Sequence, residues 1–226
     1  YWTNGANDGP GFTKELANGV SANGALVKFD ISNNNVCAAG GKALAAVLNG
    51  NQVMTELNLA GNSLGLVEPY GDAVDMSWVI AISNAIPTMG ALEKLLMAKN
   101  KFGTKESGEA LGQALAQNSV LKELDVSANV ELYPNGSLKS GDGPGFAQEL
   151  AVGLKNNGAM VSVNILNNNI GAKQAQNLVA ILKEHATLRS LCGNKGDETK
   201  LDMSGKNMGA DGAIMLAPEI VANGAL

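Results

Sequence analysis

Apolar positions recur along this chain in one fixed pattern. Counting from an apolar anchor, apolar residues follow at +3 and +5, an Asn at +8, and usually another apolar residue at +10. The copies read LVKFDISNNNV from Leu26, MTELNLAGNSL from Met54, LEKLLMAKNKF from Leu92, LKELDVSANVE from Leu121 and MVSVNILNNNI from Met160. Each predicts a short strand with alternating faces and then a turn. A second pattern precedes each anchor. Pairs spaced by four, such as Leu44/Leu48, Leu111/Leu115 and Leu178/Leu182, predict a helix with one buried stripe. Each unit is thus strand, turn and helix. No single unit can bury both faces, so copies must stack around a continuous core.

The anchors stand at 26, 54, 92, 121, 160 and 188, with Leu226 fitting as the next, so units of 28 or 29 residues alternate with units of 38 or 39. The segment from Asp8 (DGPGFTKELANGV…) and the one from Asp142 (DGPGFAQELAVGL…) share 17 of 29 residues, the trace of a duplicated block. The extra residues of the long units always follow the strand and predict a row of loops along one rim. Two frames compete for the sixth strand, one from Leu188 and one through Leu201 and Met203. The chain begins inside a long unit and ends on an anchor, so 1–226 reads as one repeat domain within a longer stack.

The Asn column at +8 (Asn34, Asn62, Asn100, Asn129 and Asn168) falls where turns of neighbouring units meet. A buried amide there must be hydrogen-bonded, and truncating one is expected to cost roughly 1–3 kcal/mol.

LVKFDISNNNV, MTELNLAGNSL and LKELDVSANV resemble the leucine-rich repeat. The units of 28 or 29 residues with helices resemble its ribonuclease-inhibitor-like subclass, which includes repeats of nucleotide-binding innate-immune receptors and the Ran GTPase-activating protein. The resemblance implies an α/β fold, a right-handed horseshoe solenoid with a curved parallel sheet inside and helices outside. It also implies a protein-binding or scaffolding module, free or within a larger assembly. Regulation of a small GTPase, or a purely structural segment of a larger repeat protein, are the alternatives.

A partner would meet the strand face or the rim. The outward +4 column supplies Asp30, Asn58, Leu96, Asp125 and Asn164, then Cys192 or Asp202 according to the frame, and Leu166 adds an apolar position. Tyr70 and Tyr133 in the long-unit loops are the aromatic candidates. Lys28, Lys94 and Lys122 intersperse with Glu56, Glu93 and Glu123, a mixed-sign set that reads as a solvated face.

Composition narrows the function classes. Among 226 residues, 45% are hydrophobic and only 4% aromatic, so aliphatic side chains must carry the core. A net charge of -5 argues against nucleic acid. No apolar run reaches the length of a membrane span. The two cysteines, Cys37 and Cys192, form no disulfide framework, which favours an intracellular protein. No cofactor or metal is expected, because neither a phosphate loop nor a ligand spacing is present. NKGD at Asn194–Asp197 has no accompanying phosphate loop, and the glycine-rich GDGPG reads as a turn into a helix. The single His185 stands near a helix end without a nucleophile beside it. The reading is therefore a non-enzyme with protein partners.

Overall fold

The computed structural model describes residues 9–67, 73–132, 138–204, 206 and 208–226. Strands of three residues open the first five units: β1 (Lys28–Asp30), β2 (Glu56–Asn58), β3 (Lys94–Leu96), β4 (Glu123–Asp125) and β7 (Ser162–Asn164). They pair in parallel in that order, anchor-relative positions level with one another, as in Leu57↔Leu95↔Leu124↔Val163. Among the described residues seven α-helices accompany them: α1 (Gly9–Ala22), α2 (Cys37–Leu48), α3 (Ser77–Ala85), α4 (Lys105–Gln117), α5 (Gly143–Asn156), α6 (Gly171–Glu184) and α7 (Gly209–Ala222). The alternation of strand and helix expected from the sequence is the observed α/β architecture, and each helix packs on the next.

The core lies between the two layers. Anchors Met54, Leu92, Leu121, Met160 and Leu188 are buried, as are the +3 and +5 residues of β2, β3, β4 and β7. They join Leu44, Leu48, Ile82, Leu111, Leu115, Leu150, Leu154 and Leu178 in one continuous cluster. Trp78, Phe102 and Phe146 form a buried row of edge-on rings, with centroids 5.4 and 6.1 Å apart. Gly112 and Gly153 bring α4 and α5 backbone to backbone. A Cβ on Gly153 would stand 2.5 Å from the Gly112 Cα.

The turn after each strand explains why Asn is abundant. Positions +7 and +9 take left-handed backbone, as at Asn33 and Asn35 (φ 60° and 53°) and at Asn167 and Asn169 (62° and 50°), a conformation that Asn tolerates better than most residues. Between them stands the +8 Asn. Asn62 Oδ1 accepts the Asn34 N–H, Asn100 the Asn62 N–H, Asn129 the Asn100 N–H and Asn168 the Asn129 N–H, all at 2.7–2.8 Å. Each buried amide also donates to a carbonyl of its own unit and one of the preceding unit. Asn34 departs from the expected burial. Among the described residues no earlier turn lies against it, and it is exposed.

The inserted residues of the first two long units run antiparallel at their bases. Leu66 bridges Val74, and β5 (Glu131–Leu132) pairs with β6 (Leu138–Ser140). The third long unit settles the competition between frames. Ser190 and Cys192 bridge to Ser162 and Asn164, so the Leu188 frame joins the sheet. Past this strand a buried carboxylate takes over. Glu219 of α7 accepts the Leu191 N–H at 2.6 Å, where the equivalent Val163 N–H of β7 goes to the Ser190 carbonyl.

Candidate partner-binding face

Helices cover one side of the sheet, and the other side presents its +2 and +4 side chains. Strand register alone arranges the +2 row. Lys28, Glu56, Lys94, Glu123 and Ser162 lie side by side, one per strand. Their charges alternate, and direct cross-strand pairs form, Lys28–Glu56 at 2.9 Å and Lys94–Glu123 at 3.1 Å. Glu56 holds the Lys28 ammonium above its ordinary range, and the hydrogen bond from Lys28 holds the Glu56 carboxyl below its own. One position earlier, Lys122 meets Glu93 at 2.7 Å. These pairs are half-exposed, so each contributes little stability. Their effect is to neutralise the cations of this face.

The +4 row is where the sequence places the candidate contacts. Asp30, Asn58, Leu96, Asp125 and Asn164 are consecutive in register and half-buried or exposed. Asp30 is drawn below the ordinary aspartate range by the Ser32 N–H and the Asn58 amide. Asp125 accepts one hydrogen bond, from the Ser127 N–H at 2.9 Å.

Leu166 does not belong to this face. It is buried at 2% exposure, in the core cluster, where Gly212 of α7 packs against it. The expectation treated it as an outward position; α7 covers it instead. Tyr70 and Tyr133 lie outside the described residues. The +8 asparagines are engaged with backbone and form the spine of the turns rather than a contact surface.

The third insertion adds what no single strand supplies. Asp202, Met203 and Lys206 wall a cleft of about 300 Å³ whose floor is the outward face of β3, β4 and β7, with Leu96, Asp125, Asn164 and Cys192 among its lining. Asp202 is exposed and held below the ordinary aspartate range by Ser204, with Lys206 adding to the effect. Burial, and then the nearby Glu219, push the Cys192 thiol far above the ordinary range, so it carries no thiolate. Among the described residues no cluster of three or more His, Cys, Asp and Glu could hold a metal ion. No described helix is long and apolar enough to cross a membrane.

A second amide column escaped the sequence reading. Three residues before the anchors stand Asn23, Asn51, Asn118, Asn157, His185 and Asn223, and each accepts N–H groups of the turn that leads into the next strand. The signal was available in NGAL, NQVM, NSVL and NGAM. Before Leu92 the place is taken by the apolar Met89, and His185 is the member that replaces the amide with another accepting group. Its Nδ1 accepts the Leu188 N–H at 2.9 Å, and its Nε2 faces the Leu154 and Asn157 carbonyls. These partners fit the neutral ring with its proton on Nε2.

Solved structures share this fold. Leiomodin-1 actin-binding site 2 matches with a TM-score of 0.57 at 17% identity, over 76% of this chain and 86% of that one. The C-terminal domain of Caenorhabditis elegans tropomodulin matches with a TM-score of 0.56 at 15% identity, over 76% of this chain and 91% of that one. No family model and no curated protein sequence matches the chain. These likenesses overturn the assignment to the ribonuclease-inhibitor-like subclass with its immune-receptor and Ran-regulator members. The residues behind that assignment, apolar at +3 and +5 with Asn at +8, are dictated by packing within a unit and against its immediate neighbour. They do not specify how long and short units combine, which is what distinguishes one stack from another.

Proposed function

We propose that this chain is a protein-binding module of the leucine-rich-repeat horseshoe type, without catalytic chemistry of its own, acting through the outward strand face. The observation that carries the reading is the cleft, where the third insertion overhangs a face of in-register polar side chains. Helices leave this side of the sheet uncovered, so its contacts are available to a partner. The similarity to actin-binding site 2 of leiomodin-1 makes actin the first partner to test. The long-unit insertions, which recur at every second unit, extend the same surface along the rim.

The test is co-sedimentation of the purified protein with filamentous actin, beside affinity capture from cell extract with lysine cross-linking. We expect a specific protein partner whose cross-links fall on Lys28, Lys94 and Lys122 of the strand face. Cross-links confined to Lys173 and Lys183 of α6, or no specific partner at all, would refute the reading.

A further inference from the structure

The cleft has a charge imbalance that its own residues do not correct. Glu123, Asp125 and Asp202 supply three carboxylates to its lining against two lysines, Lys94 and Lys206, which leaves one negative charge in excess. Lys94 is taken by Glu123 at 3.1 Å. The nearby Lys122 is likewise taken, by Glu93 at 2.7 Å. Asp125 accepts the Ser127 N–H, Asp202 accepts from the Ser204 side chain and N–H, and among the described residues neither forms an ion pair. Lys206 is exposed and draws the Asp202 carboxyl down from solvent without closing to ion-pair distance. Half-buried Leu96 and Met203 give the same cleft apolar wall. A volume of about 300 Å³ admits a side chain and its flanking backbone, not a folded surface.

We propose that this cleft seats one basic side chain of an extended segment of a protein partner, its cationic head between Asp125 and Asp202 and its methylenes along Leu96 and Met203. The chemistry fits a guanidinium best. It is planar, more weakly hydrated than an ammonium, and able to reach two acceptors at once. Asn164 within the cleft and Asn58 on the neighbouring β2 carry the polar row across it, where the segment's backbone would run. The proposal rests on the protein-binding reading and names what one part of that surface recognises.

The probe is a fluorescein-labelled nonapeptide with one central arginine between leucines, set against its citrulline counterpart, which has the same shape without the charge. Fluorescence anisotropy is read with the wild-type chain, with Asp125→Asn, with Asp202→Asn, and with Glu109→Gln on the exposed face of α4 as a control. Each Asn keeps an acceptor for the Ser127 or Ser204 N–H, so both variants should fold, and circular dichroism checks this. Arginine is expected to bind at least tenfold tighter than citrulline. Either cleft variant should lose fivefold or more, Glu109→Gln nothing, and added salt should weaken the arginine peptide alone. Equal affinity for the two peptides, absent arginine binding, or cleft variants equal to wild type would overturn the proposal. A protein partner still captured by the Asp125→Asn/Asp202→Asn double variant would also count against the cleft and leave the protein-binding reading standing. Wild type capturing no partner would remove that reading, while the peptide comparison judges the cleft by itself.

Discussion

Replacing Asn100 by Ala removes one rung from the middle of the amide ladder. Asn100 Oδ1 accepts the Asn62 N–H at 2.8 Å, and its Nδ2 donates to the Leu59 and Met97 carbonyls at 2.8 and 3.1 Å, all fully buried. The two carbonyls keep a second donor, Asn62 Nδ2 on Leu59 and Asn129 Nδ2 on Met97. The Asn62 N–H keeps no other acceptor among the described residues and is orphaned, and the Leu64 N–H loses its longer contact of 3.5 Å to the same oxygen. An unpaired buried donor costs about 1–3 kcal/mol, and two weakened carbonyls add about 0.5–1 kcal/mol each, giving a loss of roughly 2–5 kcal/mol. Asn34 provides the contrast. It is the exposed first rung, and its amide donates to the Ile31 carbonyl, which Asn62 Nδ2 also holds, and to the Ser32 carbonyl at the surface. Asn34→Ala should cost less than about 1 kcal/mol by the same reasoning. Urea unfolding followed by circular dichroism, fitted with a shared m-value, measures both. Asn100→Asp should be worse than Ala at neutral pH, because a carboxylate would face two carbonyls. Its deficit should narrow in acid as a proton restores the donor. Equal losses for Asn34→Ala and Asn100→Ala would refute the ladder as a source of stability.

Gly153→Ala should lower stability by about 1–3 kcal/mol or more in a thermal melt, since its Cβ would press on the Gly112 backbone and force α4 and α5 apart; a change within about 0.5 kcal/mol would show that these helices yield freely. His185→Asn should be nearly neutral, because Asn serves the same turn in Asn118 and Asn157. His185→Leu should cost about 1–3 kcal/mol by orphaning the Leu188 N–H, and equal effects in denaturant titrations would contradict the capping role. Asp75 is held below the ordinary aspartate range by the Ser77 hydroxyl and N–H at the start of α3. Its folded value lies below its unfolded one, so its contribution is fully present above about pH 4 and is lost as pH falls through the folded value. The stability gap between wild type and Asp75→Asn, followed by urea unfolding across pH, should therefore close in acid, and a pH-independent gap would contradict that assignment.

The unit was legible in the sequence because its determinants are local. Apolar residues at +3 and +5 must face inward from a strand, pairs spaced by four must share one helix face, and an Asn flanked by left-handed positions must satisfy a turn. That local logic placed β1 to β4, β7, the helix stripes and the amide ladder. It also placed Asp30, Asn58, Leu96, Asp125 and Asn164 on the outward face, since period two dictates which side a strand residue takes. It failed where two distant segments decide the outcome. Leu166 is covered by α7, some 40 residues later in the chain, and its own unit carries no trace of that. The Leu188 and Leu201 frames were equal as patterns, and only pairing with β7 selected one. The count of spacings offered Cys192 or Asp202 as the next outward residue, but Asp202 and Met203 reach the strand face through a turn whose direction is set by contacts, so that both line one cleft with Asp125 and Leu96 was not legible in it. Repetition thus determined what each unit is, because short-range burial is encoded within the unit. Tertiary packing decided which surface stays open, because an insertion has no periodicity and comes to rest where the finished stack offers it contacts.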